Sequence, residues 1–139
     1  MSILVAATDR SEGLAAVTAA IAEAELLDTD LVVVPLGLTS SFDTSALDES
    51  GIDYSVVTRK GRGDRDPAEA VLDELDERPE VARLVIGMRR RSRMGKMLIG
   101  SVSQRLLLDS PVPVLAVKDL VPEDWAAGRL SPRTTELTG

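Results

Sequence analysis

The chain has 139 residues, a formal net charge of −7 and neither cysteine nor histidine. That length predicts a single domain that buries about two-thirds of the surface exposed by its unfolded chain. The missing residue types exclude disulfides, thiolate nucleophiles, His-based triads and the usual zinc sites, so only carboxylates, hydroxyls, carbonyls or a ligand's phosphates could hold a metal. The acidic balance argues against nonspecific nucleic-acid binding by the whole surface. With no apolar run of roughly 18 residues and no signal-like basic start, we expect a cytoplasmic protein without a membrane span.

Apolar periodicity predicts strands and helices in alternating order along the chain. Between the second and third strands, a polar stretch is expected to form a loop with at most one helical turn near Ala46. The predicted strands are Ile3 to Ala7, Asp30 to Leu38, Ile52 to Lys60, Val81 to Gly87 and Val112 to Lys118. The predicted helices are Leu14 to Leu27 (with Leu14, Val17, Ile21 and Ala24 at helical spacing), Pro67 to Leu75 and about Val102 to Asp109.

This alternation predicts an α/β fold, a doubly wound, five-stranded parallel sheet of Rossmann-like type in strand order 3-2-1-4-5. The valine-rich second strand suits a strand buried on both faces of a parallel sheet. We expect one domain over residues 1–118 and a polar, loosely attached C-terminal tail over residues 119–139. No internal repeat or second domain is evident.

The start of the third predicted helix carries a complete set of local signals. Asp66 suits the N-cap, Pro67 suits the first helical position, and Glu69 stands three residues after the cap, where it can reach back. The sequence therefore predicts a capped helix beginning at Pro67.

Two glycines suggest an anion site. Gly87 ends the fourth predicted strand, and Gly100 with Ser101 stands where the last helix begins. Glycines at a strand end and at a helix start allow backbone N–H groups to close around a phosphate, aided by the helix dipole. The alternative is that Ser101 and Gln104 form a capping box, which requires no ligand.

A basic cluster surrounds these glycines in an otherwise acidic chain. In the absence of compensating carboxylates elsewhere in the fold, such a cluster indicates recruitment of a polyanion. Its members are Arg89, Arg90, Arg91, Arg93, Lys96 and Arg105.

Asp9 follows the first strand, as Gly87 follows the fourth. In strand order 3-2-1-4-5 these two strand ends flank the point where the strand order reverses, where ligands of doubly wound sheets bind. A carboxylate there could accept a hydrogen bond from an adenine amino group or a ribose hydroxyl. The alternative is that Asp9 serves as a helix cap or turn residue.

These residues resemble those of the universal stress protein family, from Ile3 to Lys118. The resemblance rests on the run Asp9-Arg10-Ser11-Glu12, on Gly100-Ser101 and on the closing strand Pro111 to Val117. Nucleotide-binding members carry a spaced glycine motif that Gly87, Gly100 and Ser101 match in register, whereas Arg90 replaces its second glycine.

The resemblance implies an adenine nucleotide alpha hydrolase-like fold that binds ATP or a related adenine nucleotide, with or without Mg²⁺, and at most slow ATP hydrolysis. It also implies a regulatory homodimer in the stress response, formed through Val112 to Val117, with an unidentified protein partner and no membrane or nucleic-acid partner. The implied adenine and ribose contacts are Ala7, Thr8, Asp9 and Leu36, and the implied phosphate contacts are Gly87, Arg90, Gly100, Ser101 and Val102.

Arg90 leaves two outcomes open. Its guanidinium could swing outward and donate to the phosphates, or its side chain could fill the site. A left-handed backbone at this position would add about 1–2 kcal/mol of strain for any residue other than glycine. The alternative function is therefore an interaction module of the same fold whose ligand site was lost through Arg90.

Overall fold

The computed structural model describes residues 1–8, 11–36, 43–57, 66–90, 97–98 and 100–118, with the backbone alone at residues 11, 89, 90, 97 and 98. The predicted tail lies outside these residues, and its boundary at residue 118 stays a prediction. In chain order the elements are β1 (Ser2–Ala7), α1 (Ser11–Leu27), β2 (Asp30–Pro35), α2 (Ser45–Ser50), β3 (Tyr54–Val56), α3 (Pro67–Glu77), β4 (Val81–Arg90), β5 (Met97–Leu98), α4 (Ser101–Asp109) and β6 (Val114–Lys118).

Five parallel strands form the sheet, and the predicted fold class and strand order are confirmed. β1 lies between β2 and β4, β3 pairs with β2, and β6 pairs with the other side of β4. β6 is thus the fifth strand of the predicted 3-2-1-4-5 order. The strand order reverses between β1 and β4, where the pairing ends at Val5 with Val85 although β1 continues to Ala7. A crevice can therefore open beyond Val85.

Apolar side chains on both faces of the sheet create two core layers. β1 is buried along its whole length, because successive residues of this central strand point alternately into the two layers. One layer lies under α1 and α2 and includes Ile3, Val5 and Leu47. The other lies under α3 and α4 and includes Leu4 and Leu106.

Helix α1 packs on the sheet through small residues. Its buried face carries Ala16, Val17, Ala20 and Ala24, whereas Leu14, which shares the predicted helical spacing, is 63% exposed. Small side chains permit a closer approach of helix and sheet than leucine would. The position of this helix matters for the site described below. Among the described residues, no helix is long and apolar enough to cross a membrane.

The region after Gly87 differs from the sequence expectation. Instead of ending at Gly87, β4 continues to Arg90 and pairs in antiparallel fashion with β5, a strand that the sequence did not predict. The polar stretch before β3 contains α2, which agrees with the single turn expected near Ala46. β3 spans Tyr54–Val56, and Ile52, Asp53 and Val57 of its predicted range are not in the strand, while residues 58–60 lie outside the described residues.

Candidate functional site

A cavity of about 160 Å³ opens at the carboxyl end of the sheet, beside the crevice between β1 and β4. It lies at the point of strand-order reversal, where ligands of doubly wound sheets bind. The ends of β1 and β4 and the first turns of α1, α3 and α4 surround it. Its lining residues are Ala6, Thr8, Glu12, Gly13, Leu36, Pro67, Ile86, Gly87, Val102, Ser103 and Leu106.

The first turn of α1 closes one side of this cavity through backbone contact. A Cβ atom placed on Gly87 would lie 2.1 Å from the carbonyl oxygen of Glu12, and one placed on Gly13 would lie 2.0 Å from that of Thr8. Real Cβ atoms essentially never come so close to backbone. Packing of α1 on the strand ends is therefore sufficient to require glycine at both positions.

The start of α4 forms a different, open side. Gly100 is the N-cap residue, with φ −72° and ψ 164°, and a Cβ atom placed on it would meet none of the described residues within 4 Å. In the described part of the chain no side chain caps this helix, and its first turn carries no acidic residue. The N–H groups of the first turn therefore keep their capacity to bind an anion.

The alternative capping role of Ser101 is wrong. Ser101 is the first helical residue and not the N-cap, so its hydroxyl does not stand where an N-cap side chain would, and α4 has no side-chain cap. The Gly100 carbonyl accepts the first helical hydrogen bond, from Gln104 N at 2.9 Å. α4 thus begins at Ser101, one residue earlier than the capping box would require.

The start of α3 confirms its predicted cap but corrects one detail. Asp66 Oδ1 accepts a hydrogen bond from Ala68 N at 3.0 Å, and Pro67 occupies the first turn. Glu69, expected to reach back to the cap, instead accepts from Arg105 at 3.5 Å. The start of α3 is therefore closed to a ligand anion by its own carboxylates.

Arg105 belongs to this carboxylate group rather than to the cavity. Its guanidinium contacts Asp66 at 2.8 Å, Glu69 at 3.5 Å and Asp109 at 3.3 Å. The hydrogen bond to Asp109, followed by Glu69 and the charge of Asp66, raises the pKa of Arg105 above its ordinary value. The charge of Arg105, a member of the basic cluster, is therefore compensated by carboxylates. The sequence left this alternative open. Arg91, Arg93, Lys96 and the side chains of Arg89 and Arg90 lie outside the described residues.

Glu12 is a functional candidate that the sequence reasoning did not place in the site. Its side chain is 8% exposed and lines the cavity. The Thr8 hydroxyl donates to its Oε2 at 3.3 Å, while its buried Oε1 has no hydrogen-bond partner within the described part of the chain. An acid in the first turn of a helix is ordinarily explained by the helix dipole and exposed to water, so the sequence carried no signal of this burial.

The predicted contact residues divide into four groups. Thr8, Leu36, Gly87 and Val102 line the cavity, whereas Gly100 and Ser101 stand beside it on the exposed start of α4. Ala7 points into the core layer under α1, and its carbonyl accepts a hydrogen bond from Leu36 N at 2.7 Å. Asp9 and the side chain of Arg90 lie outside the described residues.

Comparison with known proteins identifies the family. The model of the universal stress protein family matches residues 45–118. A universal stress protein from Mycolicibacterium smegmatis is 39% identical over 119 residues, which cover 76% of this chain and 88% of that protein. The chain belongs to the universal stress protein family.

Solved structures of universal stress proteins share this fold. One from Archaeoglobus fulgidus superposes with a TM-score of 0.60 at 26% identity and covers 85% of this chain and 98% of its own. The universal stress protein from Archaeoglobus fulgidus in complex with dAMP superposes with a TM-score of 0.55 at 22% identity, with the same coverage.

Within this universal stress protein, the backbone is unstrained at position 90, where arginine replaces the second glycine of the family motif. Residue 90 lies in extended strand and pairs with Met97. Asp28 is the single non-glycine residue with positive φ among the described residues. Arginine at position 90 therefore carries none of the strain that a left-handed backbone would impose.

Proposed function

We propose that this universal stress protein binds an adenine nucleotide, ATP or a close relative, and acts as a cytoplasmic regulatory module in the stress response. The observation that carries this proposal is the start of α4. No described side chain caps its N–H groups, no described residue lies beside its N-cap glycine, and it stands at the rim of a cavity at the strand-order reversal. The dAMP complex of the Archaeoglobus relative supports the choice of an adenine nucleotide.

In this proposal the phosphates bind outside the cavity and the nucleoside binds inside it. The phosphates accept hydrogen bonds from the N–H groups of the first turn of α4, around Gly100, Ser101 and Val102, where the helix dipole favours negative charge. The space beside Gly100 allows a phosphate to approach the backbone. Leu36 and Ile86 provide apolar walls for the nucleoside. Ala7, Asp9 and Arg90 complete the contacts that the family resemblance implies, and their contribution is part of this proposal.

Hydrolysis is proposed to be slow or absent. Rapid phosphoryl transfer requires a group that positions the attacking water in line with the γ-phosphate. Glu12 lines the nucleoside cavity, so it is poorly placed for that task. No group of three or more potential metal-binding side chains occurs in the part of the chain that the structure describes. Any Mg²⁺ would therefore be held largely by the phosphates of the ligand.

Calorimetric titration with ATP, with and without Mg²⁺, tests this function on the wild type and on Arg90→Gly. Saturable binding by the wild type supports nucleotide binding despite Arg90. Binding by Arg90→Gly alone would instead favour the interaction module, with Arg90 filling the site. ATP should also raise the melting temperature of the wild type, because a ligand that binds the folded state stabilises it by RT ln(1 + [L]/Kd).

The homodimer is a second part of the proposal and rests on β6. This strand pairs with β4 and, within the described residues, has no strand on its other side. An apolar edge strand tends to pair with another chain, and a two-fold contact closes without growing a fibre. We expect a dimer formed through Val112 to Val117, with or without nucleotide.

Size-exclusion chromatography with light scattering checks the dimer at tens of micromolar protein. Leu115→Lys should produce monomer or aggregate, because a charge is placed in the interface strand. Leu26→Lys is the control for the added charge, since Leu26 is 77% exposed and does not belong to β6. Wild-type protein that runs as a monomer at this concentration would contradict the proposal without reference to either variant.

A further inference from the structure

Glu12 presents a buried charge that the fold leaves incompletely satisfied. The side chain is 8% exposed, Thr8 donates to Oε2, and Oε1 is buried without a partner among the described residues. An ionised carboxylate removed from water is normally paired or fully hydrogen-bonded, because desolvation of the charge is otherwise uncompensated. Glu12 therefore has an unused acceptor at the wall of the cavity.

The position of Glu12 in α1 does not account for this burial. An acid in the first turn of a helix interacts favourably with the dipole when it faces water, as Glu69 does at 53% exposure of its side chain in α3. The packing of α1 against Gly87 uses the backbone and Cβ of Glu12 and does not involve its Oε1. A hydrogen-bond donor from a ligand in the cavity would satisfy Oε1.

The chemistry of the carboxylate restricts which part of a nucleotide can lie beside it. An ionised carboxylate accepts hydrogen bonds and repels phosphate oxygens, so the phosphates belong at the start of α4. The nucleoside carries the neutral donors, namely the ribose hydroxyls and the exocyclic amino group of adenine. The cavity of about 160 Å³, walled by Leu36, Ile86 and Leu106, has room for one ring system with its donor turned toward Glu12.

We propose that Glu12 is a specificity residue of the nucleotide site and that its Oε1 accepts a hydrogen bond from an O–H or N–H donor of the bound nucleoside. This proposal rests on the proposed nucleotide binding and adds the group that selects the nucleoside. The hydrogen bond replaces the missing partner of Oε1, so ligand binding relieves a charge that the free protein leaves unsatisfied.

The central variant is Glu12→Gln, which preserves the length of the side chain and removes its charge. Hydrogen bonds to a charged acceptor are about twice as strong as neutral ones, so the affinity for ATP should fall about fivefold to tenfold. Glu12→Met removes both acceptors at similar length and should lower the affinity by more than tenfold. Glu25→Gln on the exposed far end of α1 is the matched control and should bind ATP like the wild type.

Three ATP analogues identify the donor by calorimetric titration. 2′-DeoxyATP and 3′-deoxyATP each lack one ribose hydroxyl, and purine riboside triphosphate lacks the amino group of adenine. The analogue that lacks the relevant donor should bind the wild type about as weakly as ATP binds Glu12→Gln. That same analogue should show no further loss when Glu12 is replaced, as expected for a coupled pair in a double-mutant cycle.

A ligand-free measurement separates this role from a structural one. Because Oε1 has no partner among the described residues, Glu12→Gln should melt at the wild-type temperature or above it. A melting temperature several degrees lower would assign Glu12 to the fold and overturn the proposal.

The binding results distinguish this proposal from the proposed function. If the wild type and Glu12→Gln bind ATP equally, the role of Glu12 is wrong and nucleotide binding stands. Glu12→Gln could also lower the affinities for ATP and for all three analogues by the same factor. That result would overturn the role of Glu12, since no single donor would then face Oε1. If the wild type binds none of the four nucleotides at millimolar concentration, both proposals are wrong.

Discussion

Gly87 and Gly100 belong to the same glycine motif but occupy opposite environments. The carbonyl oxygen of Glu12 lies 2.1 Å from where a Cβ on Gly87 would stand, whereas a Cβ on Gly100 would meet none of the described residues within 4 Å. Packing of α1 therefore explains the first glycine without any ligand. Neither packing nor backbone conformation requires the second, which has an ordinary φ of −72°. One motif can therefore combine a position fixed by packing with one that is available to a ligand.

The starts of α3 and α4 show the same contrast. Asp66 caps α3, and carboxylates near its first turn hold Arg105. α4 has no side-chain cap and no acid in its first turn. Both helices begin at the cavity, but of these two helix starts only that of α4 favours an anion. The N–H groups of α3 already face carboxylate charge.

The largest expected effect is the loss of stability in Gly87→Ala. The added methyl group must displace the backbone of α1 at Glu12, so the free energy of unfolding should fall by about 3 kcal/mol. Urea denaturation measures this change. Gly100→Ala is the matched control and should lose no more than about 1 kcal/mol, the difference expected for alanine at an N-cap. Equal losses in the two variants would remove the contrast between the glycines.

Gly100→Asp should convert the start of α4 into one like that of α3. The new carboxylate would cap the helix and change the free energy of unfolding by only a few tenths of a kcal/mol. It would also occupy the N–H groups and repel phosphate, so ATP affinity should fall more than tenfold by calorimetry. Retention of wild-type affinity would contradict the placement of phosphates at α4.

Asp66→Ala should lower the stability and leave the ATP affinity nearly unchanged, the reverse of what is expected for Gly100→Asp. Loss of the hydrogen bond to Ala68 N should lower the free energy of unfolding by about 1 kcal/mol, as measured by urea denaturation. ATP affinity should stay within about twofold, because the start of α3 does not bind the phosphates. Asp66→Asn, which retains a capping oxygen, is the control and should restore most of the stability.

The smallest effect is expected for Arg105→Gln. The guanidinium is held by three carboxylates, so its removal should change ATP affinity by less than about twofold in calorimetric titration. A substantial loss of affinity would mean that Arg105 leaves these carboxylates for the ligand, which would return it to the basic cluster predicted from the sequence.

The sequence by itself determined the framework of the protein. Valine-rich strands and alternating helices specified a doubly wound parallel sheet, and Asp66 with Pro67 specified the start of α3. These features follow from local periodicity and from capping between residues close in the chain. The resemblance to universal stress proteins was likewise carried by short runs of residues, such as Pro111 to Val117.

Only the tertiary structure decided the roles of individual residues at the site. The contact of Gly87 with Glu12 joins positions 75 apart in the sequence, and that of Arg105 with Asp66 joins positions 39 apart. Neither contact has a periodic signal in the sequence. The burial of Glu12 likewise depends on how closely the small face of α1 approaches the sheet, a distance set by the packing of whole elements rather than by local propensity. A sequence can therefore specify which elements form, while the environment of each charge at their junction is fixed only once those elements have packed together.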